Sequence, residues 1–164
     1  MEHKRKVYFM AKALELAELA FQAEEIPVGA VLVQGDTVIG TGYNSVIRGA
    51  DPTAHAEVLA MRAGSGHMHN YRLPGTELFI TLEPCLMCYA TMVQARVKKL
   101  YFAAFDDKTG IYSTGAFDRL PAIFNHDIEV EAGIMQAESS RLLKKFFQER
   151  RGAGAVERDG LENR

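Results

Sequence analysis

The 164-residue chain is 48% hydrophobic and 24% charged, an ordinary composition for one globular domain with a real core. Its 19 basic and 21 acidic residues leave a net charge of −2, which excludes a global positive field and restricts any nucleic-acid contact to a local patch. Glu15 and Glu18 interrupt the apolar run near the N-terminus, and no stretch is long enough to cross a bilayer. The expected setting is the cytosol, where Cys85 and Cys88 stay reduced.

In chain order, apolar residues at helical spacing (Met10, Leu14, Ala17, Phe21) predict a helix from about Lys4 to Glu24, with Pro27 just beyond it. The run "VGAVLVQGDTVIGTGYN" reads as a hairpin: a buried strand over Val28–Val33, a turn at Gly35-Asp36 and a return strand to Tyr43. Thr53 is the expected N-cap of a helix to Arg62, with Gly64 as its stop. A loop "SGHMHNYRLPG" precedes a strand at Glu77–Leu82, and Pro84 suits the first position of the next helix. Two strands, "KKLYFAAF" and "DIEVEAG", lead to a final helix over about Met135–Arg151. Strands alternating with helices predict an α/β fold with helices on both faces of a sheet. Residues 1–151 read as one domain, and 152–164 as a disordered tail with little to bury.

Two short stretches carry the chemistry. In "EPCLMC", Cys85 and Cys88 are three residues apart in a first helical turn, so they share a face, and free N–H groups there favour thiolate. In "PTAHAE", His55 starts another helix. Two sulfurs and one imidazole nitrogen make three ligands for a tetrahedral Zn2+ and leave a position for water. Glu57, two residues on, points elsewhere and suits the bound water rather than the metal, as general acid and base.

Blander readings exist for each motif. Cys-x-x-Cys alone fits a redox pair, but that leaves His55 and Glu57 without a task. A structural zinc would need a fourth ligand, with His67 or His69 as the candidates, although both read more simply as exposed loop residues. His-x-Glu means little by itself. Joined to Pro-Cys-x-x-Cys on a strand-to-helix turn, it is specific.

The pair His55-Ala56-Glu57 and Pro84-Cys85-Leu86-Met87-Cys88 resembles the signature of zinc nucleobase deaminases. From about Tyr8 to Arg151, "IPVGAVLV", "GYN", "DPTAHAE", "NYRL", "TLEPCLMC", "DDKTG", "FNH" and "LLKKFFQERR" resemble segments of the bacterial tRNA-specific adenosine deaminases. That resemblance implies a three-layer α/β/α sandwich with a five-stranded mixed sheet, one Zn2+ per subunit and a homodimer. It also implies conversion of the wobble adenosine of a tRNA anticodon to inosine. Water activated at the metal would attack C6 of adenine while Glu57 shuttles protons to the ring nitrogen and the departing amine. By the same resemblance Asn44 would hold the base and sugar, and Val28 would form the apolar wall under the ring. Asp106 and Lys108 would hold the sugar and flanking phosphates, and Phe147, Arg150 and Arg151 the anticodon loop. Without the resemblance, Asn44 is a turn residue, Val28 core, "DDK" a polar loop, Phe146 and Phe147 core residues and the two Arg a solvated helix end. The run Ile111–Ala116 is bulkier than the family's small residues, which leaves a free-base or nucleoside deaminase, such as a guanine deaminase, as the alternative. A catalytically inert zinc-stabilised RNA-binding module is a third reading, against which Glu57 argues.

Overall fold

Side-chain alternation decides where each strand turns its two faces. In β1 (Gly29–Gln34), Ala30 and Leu32 face one side and Val31 and Val33 the other, all buried. Strands β3 (Thr76–Leu82) and β4 (Lys99–Ala104) repeat the pattern. Leu78, Ile80, Leu100 and Phe102 join the first side, and Phe79, Tyr101 and Ala103 the second. A sheet apolar on both faces needs cover on both. Helices α2 (Ala56–Met68) and α3 (Leu86–Gln94) close the first face, through Ala60, Met61 and Met92. Helix α1 (Glu2–Gln22) closes the second with Phe9, Met10 and Ala13. Helix α4 (Gln136–Glu162) lies on the α1 side, where Phe146 meets Phe21 edge-on at 5.8 Å and the Ser139 hydroxyl donates to the Thr81 carbonyl at 2.5 Å. The computed structural model, which describes residues 1–120 and 124–162, therefore has the expected three-layer α/β/α architecture.

With β2 (Thr37–Tyr43) and β5 (Glu129–Ala132), the sheet order is β2-β1-β3-β4-β5. β1 is antiparallel to both neighbours, whereas β3, β4 and β5 run parallel. The register pairs Gly29 with Tyr43, Ala30 with Ile80 and Leu82 with Ala104. Val28, Asn44, Glu83 and Phe105 consequently leave the sheet at the same end. Helices α2 and α3 also begin there, the end at which α/β folds gather ligands.

Several expected boundaries move, each for a local reason. Thr53 does not cap α2, because the Asp51 carboxylate captures both its N–H and its hydroxyl in a tight turn. His55 is the N-cap instead. Gly64 is interior to α2 rather than its stop: a Cβ there would lie 2.3 Å from Leu32 Cδ2, so the glycine serves close packing. The helix ends at His69, in the left-handed region at φ 52°. Pro84 precedes α3, whose N-cap is Cys85, because the Pro84 carbonyl is engaged by the Ile111 N–H at 2.9 Å. A short 3-10 turn forms at Phe117–Arg119, too brief to leave a periodic pattern in the sequence. The segment expected to be a disordered tail continues α4 to Glu162, in keeping with the helix-forming Ala, Glu, Arg and Leu interspersed among its glycines, while residues 163–164 lie outside the described residues. Among the described residues, no helix is long and apolar enough to cross a membrane.

Helix α2 rests directly on the backbone of β2. A Cβ at Gly42 would lie 2.4 Å from the Ala56 carbonyl oxygen and 2.8 Å from the Ala60 nitrogen, both helix backbone atoms. Gly42→Ala should therefore push α2 outward and cost about 1–3 kcal/mol in urea denaturation, the usual penalty of overpacking. Gly66→Ala, on the open face of the same helix with nothing within 4 Å of its Cβ, should be neutral or stabilising by up to about 1 kcal/mol.

Candidate active site

Two helix starts supply the donors. His55 caps α2 and Cys85 caps α3, yet neither side chain takes the capping hydrogen bond that N-cap residues usually make. For α2 the task falls to Asn44, whose Oδ1 accepts the Ala56 N–H at 2.9 Å. The imidazole and the thiol are thereby free to face each other. Cys85 Sγ lies 3.7 Å and Cys88 Sγ 3.4 Å from His55 Nδ1, and all three donor atoms fall within 4.8 Å of one another. Ordinary zinc bond lengths in a tetrahedral site require a nitrogen–sulfur separation of about 3.5 Å. The three side chains fit a zinc ion with little movement.

Glu57 stands outside that triad and lines the same cavity. It is 4% exposed, and burial pushes its carboxyl up to about 7. The hydrogen bond from Cys88 holds the Cys85 thiol down at about 4. Cys88 itself is pushed up, by that hydrogen bond and by burial, and the hydrogen bond to Cys85 raises His55. A thiolate at Cys85 and a protonated imidazole at His55 thus favour each other. His67 and His69 sit at the far end of α2, with His67 about 18 Å along the axis from His55, and cannot complete a structural site.

The cavity is ≈ 300 Å³ in volume. Val28 and Leu82 form apolar parts of its wall, Asn44 and Asp106 polar ones, and Arg150 reaches its rim. The Asp106 carboxylate is occupied by its own loop, accepting the Lys108 and Thr109 N–H groups and the Thr109 hydroxyl. Lys108 and Phe147 do not line this cavity. Both line an adjoining groove of ≈ 410 Å³ that shares Ile26, Leu82, Asp106 and Thr109 with it. The Arg150 guanidinium donates to the Glu24 carbonyl at 3.0 Å and covers the Phe146 ring, while Arg151 is exposed and lines neither space. Phe146 is core, whereas Phe147 is exposed, contrary to the expectation from helical spacing alone that both would be core.

The bulky run after Gly110 does not crowd the cavity. Ile111 is fully buried with Tyr89 and Val93, and Tyr112 stacks on Phe102 with ring centroids 6.0 Å apart. The extra volume is absorbed by the core.

Two buried carboxylates in the cavity wall were not expected from the sequence. Glu25 Oε1 accepts the N–H groups of Ile47 and Arg48, fixing the loop after Asn44. Glu83 accepts hydrogen bonds from Asp106, Tyr112 and Ser113. Glu83 sits beside Pro84-Cys85 and is 2% exposed, so a Glu directly between a strand and the Pro-Cys turn was the available signal.

Residues 3–104 match the family model for the cytidine and deoxycytidylate deaminase zinc-binding region. The tRNA-specific adenosine deaminase of Haemophilus influenzae is 44% identical over 155 residues, covering 94% of this chain and 90% of that one. A solved structure from a study of A-to-I editing by tRNA:A34 deaminases at the wobble position superposes with a TM-score of 0.79 at 39% identity, covering 83% of this chain and 99% of that one. A guanine deaminase from Nitrosomonas europaea is more distant, with a TM-score of 0.71 at 27% identity, covering 85% of this chain and 83% of that one. A His-Cys-Cys cluster that fits zinc, a buried glutamate beside it and near-full-length likeness agree on one assignment: the chain belongs to the zinc-dependent cytidine/deoxycytidylate deaminase family and, within it, to the tRNA-specific adenosine deaminases.

Proposed function

We propose that this protein hydrolyses the wobble adenosine of a tRNA anticodon to inosine, with Glu57 as the catalytic acid and base and His55, Cys85 and Cys88 as the zinc ligands. The observation that carries this reading is the meeting of the three donors beside a cavity whose wall holds His55, Cys85 and the buried Glu57. Zinc held there supplies Lewis acidity, lowering the pKa of a water molecule to about 7.

The chain's own groups do the rest. Glu57 takes the proton of the attacking water and hands it to the ring nitrogen beside C6. It then takes the remaining proton from the hydroxyl newly bonded to C6 and passes it to the amino group. The C6–N bond breaks as the C6 carbonyl forms and ammonia leaves, so that water and adenosine give inosine and ammonia. Its raised pKa suits a group that must accept and release a proton near neutrality. Asn44 has its carbonyl committed to Ala56, so its NH2 is the end left to donate to the base or its sugar. Val28 packs beneath the ring. Asp106 shapes the wall near the sugar, and Lys108 and Phe147 border the groove that leads away from it, where flanking nucleotides would run. Arg150 and Arg151 supply local positive charge to a chain whose net charge is −2. Burial of Ile111 removes the steric reason for preferring a free base, and the 44% identical relative is a tRNA deaminase.

A homodimer in the cytoplasm is the form we infer. An apolar surface groove between α2 and α3, lined by Val58, Met61, Tyr71 and Met87, offers a self-association face beside the metal-bearing turn.

Glu57→Ala should retain one zinc per chain by metal analysis and lose activity by about 10²–10⁴-fold; zinc loss would make Glu57 a ligand. Replacing Arg150 and Arg151 by Gln should weaken tRNA binding and lower the slope of log K against log salt by about 1 per lost phosphate contact. Inosine formation by the intact enzyme in bulk tRNA at low salt is the primary test, and ammonia release from guanine with no inosine would overturn the assignment. Light scattering at micromolar concentration should give twice the chain mass, and Tyr71→Glu, at an exposed position of the groove, should shift it to the monomer.

A further inference from the structure

The loop between Asp106 and Ser113 forms one wall of the cavity, through Asp106 and Thr109, yet it lies outside every helix and strand. Such a segment keeps its place only if something holds it. We infer that Glu83 is a positioning residue, its buried carboxylate fixing the Asp106–Ser113 wall beside the turn that bears Cys85. The inference rests on the deaminase reading for its kinetic consequences but not for its geometry.

The carboxylate is saturated from both ends of the loop. Oε1 accepts the Asp106 N–H at 3.2 Å and the Ser113 hydroxyl. Oε2 accepts the N–H groups of Tyr112 and Ser113, each at 3.0 Å. Four donors on one buried acceptor is the pattern expected where a charge replaces a missing ladder of backbone hydrogen bonds. Gly110 closes against it from the side: a Cβ there would lie 1.9 Å from Oε2. The same glutamate is anchored from behind, its N–H donating to the Ala104 carbonyl at 2.8 Å, where β4 ends. The next residue but one is Cys85. Together with the Ile111 N–H, which donates to the Pro84 carbonyl, Glu83 therefore holds the substrate wall against the metal-bearing turn. Among the described residues, no other charged side chain joins these two parts by hydrogen bonds.

The amide isostere cannot replace it. In either orientation Glu83→Gln sets an NH2 against a backbone N–H. With NH2 at Oε2 it faces two such donors; at Oε1 the Ser113 hydroxyl can turn to accept, but the Asp106 N–H is left unpaired. Gly110→Ala reaches the same carboxylate from the loop, its Cβ also meeting the Asp106 carbonyl, without touching the Cys85 turn.

The test uses the zinc-loaded full-length protein, the two single variants and the double variant. Hydrogen exchange at the Asp106, Tyr112 and Ser113 amides should quicken at least about tenfold in each single variant, with one zinc per chain retained. For an anticodon stem–loop RNA, KM should rise about tenfold while kcat stays within about threefold, since a displaced wall loses binding common to ground and transition states. The effects of the two variants should combine to less than their sum, because both displace the Glu83 carboxylate from the loop. Unchanged exchange at these amides, zinc loss from both single variants, or fully additive effects would overturn the inference. If Glu83→Gln folds poorly, the exchange pattern of Gly110→Ala decides. If the wild type converts no RNA, the deaminase reading fails while the exchange measurement still judges Glu83.

Discussion

The contact on which the site depends is the seating of helix α2 on the bare backbone of β2. At Gly42 a side chain would collide with the Ala56 carbonyl and the Ala60 nitrogen, and Ala56 is the residue next to His55. Sheet and helix approach each other as closely as two backbones allow, which sets the height of His55 above the sheet. Cys85 is set independently, by the strand-to-helix turn after β3. The two meet at hydrogen-bond distances because β1, β2 and β3 are in a register that brings their relevant ends to one edge. A change in that seating would be felt at the imidazole before it was felt in the core.

Electrostatics follow from the same placement. A glutamate, two thiols and an imidazole meet at two helix starts, where the backbone offers partial positive charge. Without a cation, the thiols and the imidazole share protons through hydrogen bonds, and Glu57 is kept from ionising easily by its burial. Three donors whose spacing matches tetrahedral zinc geometry, in a pocket whose burial disfavours uncompensated negative charge, form a site suited to a divalent ion.

Much of this was legible in the residues. A continuous apolar run gave β1 as a buried strand, and Cys85 and Cys88 three residues apart gave two donors on one turn, because each depends on local sequence, while His55 entered through the motif that accompanies them. What could not be read depends on partners distant in the chain or on competition for a donor. Thr53 looked like a helix cap, but Asp51 claims it first. Gly64 looked like a stop, and it is a gap filled by Leu32 of β1. Ile111 looked like an obstruction at the pocket, and the core under α3 takes it up. Glu25 and Glu83 resembled ordinary charged residues because their donors belong to loops about 20 to 30 positions away.

Asn44 shows what such a division of labour achieves. One end of its amide is bound to an obligatory backbone donor of α2, so the group cannot rotate to offer oxygen to the cavity without orphaning the Ala56 N–H. The polarity presented to an incoming base is settled when the protein folds, before any ligand arrives. Freezing that side chain therefore costs nothing further at binding, and the pocket reads hydrogen-bond acceptors with a preorganised donor rather than an adaptable one.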